Sequence, residues 1–407
     1  MTSGPLAGIR VVELAHYHMG PGAGMFLGDM GAEVIHVEQR MKGDLMRQFS
    51  TLWGVDFSLD DGRRNAFTED LLRNKKSLAV DLAKDEGRQI LHQLAAGSDV
   101  FLTNMRQAAL DKQKMDYQTL SAIAPALIYC HGSGYGARGP FKDSPGNEMM
   151  GLARSGVMLG SAQAGGEPVY PSVGINDRLG AIGMTVGILA ALVARERTGV
   201  GQLIETSLVG WMVNLQAVGA QIAANTGQDP RPPRREDAND PLYNYYRCRD
   251  GAWVALGMVI HKDMFWPRVC EALASPGLAT DPRFDTALKR EQNCRELVKI
   301  MDALFAEIDF AEWEEQALKY DFISTRVNDL TDLADDPQIN ANGYVERHAH
   351  PALGEWAYIA TPLEFSKTPV SIRSSAPQLG ENTDEVLTDW LGMSAADIAR
   401  LRQNEVI

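Results

Sequence analysis

The stretch PLAGIRVVELAHYHMGPGAGMFLGDMGAEVIHVE, residues 5–38, decides the fold class of this 407-residue chain. Residues 9–14 and 33–38 are apolar runs that predict two short buried strands. Between them the sequence predicts a glycine-rich turn at residues 20–24 and then a helix through residue 30. A strand, a helix and a second strand form a βαβ unit, in which the strands are parallel and the crossover is right-handed.

The same alternation continues through the first third of the chain. Strands are predicted at residues 77–81, 99–103 and 126–131, with helices at residues 85–96 and near 117–123. This order predicts an α/β protein with a doubly wound parallel sheet. A longer helix of Gly, Ala and Leu is predicted at residues 177–197, with Asn176 as its N-cap and Gly199 near its end. It is too short and too rich in small residues for a membrane span, so we expect a buried helix.

The second half of the chain begins with a change in composition. Residues 226–241 are rich in proline and charge, which indicates a linker. A strand is predicted at residues 253–256, helical patterns cover residues 261–320, and a last helix is predicted at residues 383–391.

The overall composition limits the classes of partner. The formal net charge is −14, which argues against nucleic acid because phosphate binding needs a basic face. It does not exclude a small anionic ligand. The four cysteines are scattered without C-x-x-C spacing, and the N-terminus has no secretory pattern, so we expect reduced cysteines, a cytoplasmic location and no membrane partner.

The glycine-rich segment is only a near match to a dinucleotide-binding fingerprint. Leu27 stands where the third glycine is required after Gly22 and Gly24, and Pro21 removes a backbone donor. Two explanations stay open for these glycines. They let a helix pack close to the sheet, or they help to hold an anionic ligand at a helix N-terminus.

Landmarks along the chain resemble the family III CoA-transferases, of the CaiB/BaiF type. That family includes formyl-CoA, carnitine and benzylsuccinate CoA-transferases and the related α-methylacyl-CoA racemases. The landmarks occur in the family's order at residues 5–14, 20–21, 31–38, 43–47, 74–81, 134–140, 187–192, 198–202 and 380–387.

The resemblance implies a two-domain architecture. A large Rossmann-like, CoA-binding domain would be built from both chain ends, residues 1–225 and 331–407. A smaller central α+β domain with its linkers would occupy residues 226–330. Two subunits would form a dimer of interlocked rings.

The resemblance also implies which residues contact CoA. The matching positions lie after the first strand, after the second strand, at the end of a later strand, on the helix that follows it and in a Gly-Tyr-Gly segment. In this order they are His16, Tyr17, His18 and Met19, then Arg40, Asn104, Lys112 and Tyr135. Ordinary loop or solvated surface roles stay open for the histidines and the cations.

The nucleophile is the main departure from the family pattern. In the transferases an Asp carboxylate attacks the thioester from a loop with a Gly-x-x-Asp-Gly-Pro-Pro context. The matching loop here, residues 160–168, reads GSAQAGGEP and contains no Asp. Spacing from Gly160 puts Gln163 at that position, and spacing before Pro168 suggests Glu167. A Gln amide cannot form an acyl anhydride, whereas a Glu carboxylate can.

The racemases use another acid, in a Gly-His-Asp context that matches Gly146, Asn147 and Glu148 here. Glu148 could exchange an α-proton, or it could be a carboxylate that the dipole of a helix N-terminus stabilises.

The resemblance thus implies an enzyme that moves CoA between an acyl-CoA and a carboxylic acid, with no metal and no tightly bound cofactor. Because the Asp is missing from the loop, the chain could be the non-catalytic subunit of a heteromer with a homologous active subunit, or a homodimer that uses Glu167. A racemase-type isomerase and a CoA-binding protein without turnover are the alternatives.

Overall fold

The computed structural model describes residues 4–62 and 64–407, which form two compact units. The first unit contains residues 4–62, 64–158, 170–227 and 338–407, and the second contains residues 159–169 and 228–337. The domain limits expected from the sequence are residues 225 and 330. That residues 159–169 group with the second unit was not foreseen.

A six-stranded parallel sheet forms the centre of the first unit. Its strands, in chain order, are β1 Arg10–Leu14, β2 Glu33–Gln39, β3 Lys75–Val80, β4 Val100–Thr103, β5 Ile128–Ser133 and β6 Leu203–Ser207. Their order across the sheet is β6-β5-β4-β1-β2-β3, and all neighbours are parallel. The predicted α/β class is therefore confirmed. The chain runs outwards from β1 through β2 and β3, and then returns to the other side of β1 at β4.

Helices cover both faces of this sheet. One face packs on α1 Met19–Asp29 and α8 Ile175–Thr198, through side chains such as Leu27, Met184 and Ile188. The other face packs on α3 Asp85–Ala96, α5 Tyr117–Ile123, α16 Thr383–Leu391 and α17 Ala395–Gln403. The remaining helices of this unit are α2 Ala66–Leu72, α4 Gln107–Gln113, α6 Glu148–Ser155, α9 Leu208–Leu215 and α10 Ala217–Thr226.

The C-terminal segment completes the first unit. The Ser77 backbone N–H donates to the Asn382 side chain at 3.1 Å, and the Ser77 hydroxyl accepts from the Gly380 N–H at 2.8 Å. These contacts attach the segment before α16 to the edge strand β3. The large unit is thus built from both chain ends.

The predicted glycine-rich turn is wrong, because residues 20–24 lie inside α1. A Cβ at Gly24 would stand 1.6 Å from the Glu13 carboxylate and 2.9 Å from the Lys75 Nζ. The absence of a side chain therefore lets α1 lie directly on the buried Glu13–Lys75 ion pair. This contact agrees with the explanation that the glycines let a helix pack close to the sheet.

The long helix α8 begins two residues earlier than predicted. Gly174, with a φ of 69°, is its N-cap, and Asn176 lies in the first turn, so the predicted cap is wrong. Gly199 ends the helix in a left-handed conformation, as predicted. Among the described residues, α8 alone is long and apolar enough to cross a membrane, and 44% of its most apolar window is buried in the protein.

The second unit contains a small antiparallel sheet and four helices. The strands are β7 Tyr243–Arg247, β8 Trp253–Gly257 and β9 Ser324–Val327, with β8 in the middle. The helices are α11 Lys262–Ala272, α12 Ala287–Gln292, α13 Cys294–Phe305 and α14 Phe310–Tyr320. Aromatic side chains fill its core, and the Phe305 and Trp313 rings meet edge to face at 4.8 Å.

Shorter elements complete the chain. Two short helices, α7 Val157–Gly160 and α15 Pro337–Ala341, stand at unit boundaries, and the hairpin of β10 Val345–His350 and β11 Gly354–Ile359 belongs to the first unit. Two-residue strands pair at Thr51–Leu52 with Val55–Asp56 and at Ser58–Leu59 with Arg64–Asn65. Single 3-10 turns lie at Leu45–Gln48, Asp60–Gly62, Arg235–Asp237 and Pro276–Thr280.

Candidate active site

A cavity of about 600 Å³ opens in the first unit where β1, β4 and β5 end. In doubly wound sheets ligands bind at the carboxyl ends of the strands, where the strand order reverses. Here that point lies between β1 and β4. The cavity lining includes residues that end these strands or come within five residues after them: Tyr17, His18, Met19, Asn104, Gly132, Ser133 and Gly134.

Two carboxylic acids meet in the wall of this cavity. Glu148 is the first residue of α6, and Asp177 lies in the first turn of α8. The Glu148 carboxylate accepts the backbone N–H of Asn176 at 3.2 Å and that of Asp177 at 2.7 Å. Glu148 therefore caps the N-terminus of α8 with its side chain, although it is 29 residues from Asp177 in the sequence.

The surroundings of these acids oppose their ionisation. Burial, and after it the charge of Glu148, raise the pKa of Asp177 to about 7. Burial also raises the pKa of Glu148, although the N–H groups of Asn176 and Asp177 act in the opposite direction. The Tyr170 hydroxyl bonds to Glu148, and burial and that neighbour raise the pKa of Tyr170 to about 12. Asp177 is thus a half-buried acid that titrates near neutral pH.

The rest of the cavity wall is mainly apolar. The side chains opposite the sheet end come from the segment between β2 and α2 and from α2 itself: Phe49, Leu52, Trp53, Phe57 and Phe67. The Trp53 ring meets the Tyr170 ring edge to face at 5.1 Å, and Phe67 meets His18 at 5.3 Å.

The β1–α1 loop supplies the predicted residues 17–19. Tyr17 has a left-handed backbone with a φ of 62°, and His18 and Met19 are nearly fully buried. Burial, and then the charge of Arg178, lower the pKa of His18 to about 3, so its imidazole is neutral at physiological pH. All three side chains line the cavity.

Asn104 joins the β1 and β4 loops across the point where the strand order reverses. Its side-chain oxygen accepts the His16 N–H at 2.9 Å, and its amide donates to the His16 carbonyl at 2.8 Å. Asn104 lines the cavity. His16 instead faces Asp44, whose carboxylate lies 3.6 Å from its Nδ1.

A buried chain of charges supports the β1–α1 loop. His36 Nδ1 lies 2.6 Å from the Glu13 carboxylate, and its Nε2 lies 3.4 Å from that of Asp44. Burial would lower the pKa of His36, but Asp44 and Glu13 outweigh it and raise that pKa to about 9. Asp44 also accepts the Tyr17 N–H at 3.2 Å. Lys75 donates to both Glu13 oxygens at 2.8 Å.

Comparison with known proteins assigns the chain to a family. The family described as CoA-transferase family III matches residues 6–383. The chain belongs to CoA-transferase family III.

Its relatives carry CoA-transferase names. The chain is 29% identical to (R)-2-hydroxy-4-methylpentanoate CoA-transferase of Clostridioides difficile over 99% of both chains. It is 32% identical to succinyl-CoA:glutarate CoA-transferase of Mus musculus, over 99% of this chain and 90% of that one. A CAIB/BAIF family protein from Brucella suis has the same fold, with a TM-score of 0.86 and 29% identity over 95% of this chain and 99% of that chain.

A second cavity of about 590 Å³ adjoins the first in this family III chain. The two share Asn104, Ser133, Gly134 and Gly146 in their linings. The second one is more polar, and it includes the cations Arg106 and Lys142.

Besides His16, three of the residues predicted to contact CoA are absent from the linings of both cavities. Arg40 follows β2, and its guanidinium is 3.5 Å from Glu405 near the C-terminus. Lys112 is exposed on α4. Tyr135 packs against the Phe141 ring at 5.7 Å. These three residues line neither cavity.

The two loop residues predicted at the nucleophile position belong to the second unit. Gln163 and Glu167 have exposed side chains. The loop is held by the Gly166 N–H, which donates to the Gln163 carbonyl at 2.8 Å, and by the Ala164 N–H, which donates to the Pro232 carbonyl at 3.1 Å. A carboxylate in this exposed position remains solvated.

Sequence reasoning missed Asp177, Tyr170 and the aromatic wall around Trp53. The sequence pattern identifies Asp177 only as the first residue of a predicted helix. The signal that could have found it is an Asn-Asp pair at the start of a long Gly/Ala-rich helix, since such a helix is buried and brings its first turn into the protein interior. Among the described residues, no group of three or more His, Cys, Asp or Glu side chains could hold a metal ion.

Proposed function

We propose that this protein is a CoA-transferase that moves CoA from an acyl-CoA to a free carboxylic acid, with Asp177 as its nucleophile. The observation that carries the proposal is the half-buried Asp177 carboxyl in the cavity wall, at the end of the sheet where ligands bind. Poor solvation makes a carboxylate more nucleophilic, and a pKa of about 7 leaves a substantial ionised fraction at neutral pH.

The exchange takes place in four balanced steps. The Asp177 carboxylate attacks the thioester carbonyl, CoA leaves as a thiolate, and a mixed anhydride remains. The thiolate attacks the Asp177 carbonyl of that anhydride and releases the first acid as its carboxylate. The acceptor carboxylate attacks the aspartyl thioester and again expels the thiolate. The thiolate then attacks the acceptor carbonyl, which forms the new acyl-CoA and frees Asp177.

This assignment replaces the hypothesis of a missing nucleophile. That hypothesis rested on residues 160–168, where Gln163 and Glu167 were the candidates. Both side chains are exposed, whereas Asp177 is half-buried in a cavity wall. We therefore propose that this chain contains its own nucleophile and does not need a partner's aspartate for the chemistry.

The geometry is less suited to a racemase. Proton exchange at an α-carbon needs an acid and a base on opposite faces of that carbon. Glu148 and Asp177 instead lie together at the N-terminus of α8, where one accepts the backbone N–H of the other. The role we propose for Glu148 is to hold the first turn of α8 and to keep the pKa of Asp177 high.

The two adjoining cavities offer places for the two ends of an acyl-CoA. We propose that the acyl group enters the cavity with Asp177 and that the CoA phosphates lie at the second cavity, near Arg106 and Lys142. Asn104 and the segment from Ser133 to Gly134 line both, so the thioester would lie beside them.

Trapping the covalent intermediate tests the nucleophile. The enzyme is incubated with an acyl-CoA and then with hydroxylamine, which converts an aspartyl thioester into a stable hydroxamate. Peptide mapping by mass spectrometry should locate the hydroxamate at Asp177, and only when acyl-CoA is present. Asp177→Asn is the matched control and should remain unmodified. A hydroxamate at Glu167 would overturn the assignment.

We also propose the interlocked dimer that the family resemblance implies, as a homodimer or with a homologous partner. An apolar surface of the first unit supports it. Ile182 and Val186 on α8 and Val218 and Ile222 on α10 are exposed, and α10 buries none of its own residues. Sedimentation should show a dimer that persists on dilution, and a monomer at micromolar concentration would contradict it.

A further inference from the structure

Among the described residues, the charged side chains that line the cavity with Asp177, called the acyl cavity below, are all acidic. Its lining contains the acids Glu148 and Asp177, and its histidine, His18, is uncharged at neutral pH. Within residues 4–62 and 64–407, the part that the structure describes, neither lysine nor arginine lines this cavity. The cavity therefore presents negative or neutral groups to whatever enters it.

The cation nearest to Asp177 in the sequence makes its contacts with residues outside the cavity lining. Arg178 follows Asp177, but its guanidinium pairs with Asp70 on α2 and lies 5.7 Å from the centre of the Phe26 ring. It also donates to the Met25 sulfur at 3.4 Å. Turning Arg178 into the cavity would leave the Asp70 carboxylate without this partner.

The apolar wall determines what the cavity can stabilise. Phe49, Leu52, Trp53, Phe57 and Phe67 surround the space next to the acids. Contact with these side chains stabilises an alkyl or aryl group through burial of apolar surface. A carboxylate in the same place would lose its hydration and face Glu148, and among the described residues of the lining neither lysine nor arginine could pair with it.

We propose that the acyl group exchanged at this cavity is an apolar monocarboxylic one, branched-chain or aryl, and that acyl groups with a second carboxylate, such as succinyl, are excluded. This inference rests on the proposed CoA-transferase function and adds its substrate class. The aromatic wall selects the group by contact, and the acids in the described lining reject a second negative charge.

Identity exchange tests the substrate class without knowledge of the natural acceptor. Isotopically labelled isovalerate or phenylacetate is incubated with its own acyl-CoA and the enzyme, and incorporation of label into the thioester is measured. Labelled succinate with succinyl-CoA is the comparison. We expect kcat/KM for one of the apolar pairs to exceed that of the succinyl pair by about a hundredfold or more. A succinyl pair that exchanges as fast as the apolar pairs would overturn the inference.

A charge placed in the wall gives an independent test. Phe49 is 44% exposed, so Phe49→Arg should fold, and we expect it to raise succinyl exchange relative to isovaleryl exchange by about tenfold. Leu52→Lys is a second variant with the same expected direction. Leu318→Arg adds the same charge on exposed α14 and should leave the ratio unchanged. If folded Phe49→Arg and Leu52→Lys both leave the ratio at the parent value, the charge argument is wrong.

The two proposals fail in different ways. If no pair exchanges, or if Asp177→Asn exchanges as fast as the parent, the proposed function fails. Binding of isovaleryl-CoA and succinyl-CoA to the parent protein by calorimetry then still tests the cavity. Tighter binding of isovaleryl-CoA supports the apolar class, and equal or tighter binding of succinyl-CoA overturns it.

Discussion

Replacing Asp177 by asparagine should abolish transfer and also stabilise the protein at alkaline pH. An unfolded aspartate has a pKa near 3.9, whereas the folded surroundings raise the pKa of Asp177 to about 7. Between these values the folded protein retains a proton that the unfolded chain has lost. The stability that this proton provides is fully present below about pH 4 and is lost as the pH rises through about 7.

The size of this effect follows from the two pKa values. Three pH units correspond to about 4 kcal/mol at most, and because Asp177 is only half-buried we expect about 2 kcal/mol. The isosteric amide carries no charge at any pH, so Asp177→Asn should be more stable than the parent by that amount at about pH 8 and nearly equal to it near pH 4. Transfer should fall by about a thousandfold or more.

Denaturant unfolding of parent and variant across this pH range measures the stability, and the exchange assay measures the activity. Asp389→Asn, on an exposed residue of α16, is the control and should change neither quantity. A variant that retains parental exchange, or one that is less stable than the parent at about pH 8, would refute the reasoning, because a solvated aspartate in a structural role predicts those results.

Three further perturbations test the surroundings of this site. Glu148→Gln should move the acid limb of the pH profile of kcat/KM to lower pH by about one unit, because Glu148 is the smaller of the two causes that raise the pKa of Asp177. Glu167→Gln should retain transfer activity within about twofold of the parent. A complete loss of activity would instead indicate that Glu167 is the nucleophile. His36→Gln should lower the free energy of unfolding by about 3 kcal/mol, since it leaves buried Glu13 without one partner. With a folded pKa of about 9, the stabilisation from His36 should be present below about pH 6.5 and lost as the pH rises through 9, and unfolding of the variant should lack that dependence.

The parallel sheet could be predicted because its signals are local. The helix predicted at residues 85–96 matches Asp85–Ala96, and the strands at residues 9–14 and 33–38 match β1 and β2 within a residue. The start of α1 could not be predicted in this way. Glycines have low helix propensity, so residues 20–24 favour a turn until the tertiary contact with Glu13 and Lys75 is known. That contact joins β1 and α1 to β3, which lies far from both in the sequence.

The proposed nucleophile, Asp177, was missed for a related physical reason. An aspartate in the first turn of a helix is common, because the helix dipole stabilises it at the surface. In the sequence, only the Asn-Asp pair at the start of a long Gly/Ala-rich helix distinguishes Asp177 from such a residue. Its chemistry depends on burial and on Glu148, which comes from another helix. The N-terminus of α8 would stabilise an ionised Asp177, but two of its backbone N–H groups donate to Glu148 instead. The helix end thus holds one carboxylate firmly and leaves the other poorly stabilised, which is the condition that a nucleophilic carboxylate needs.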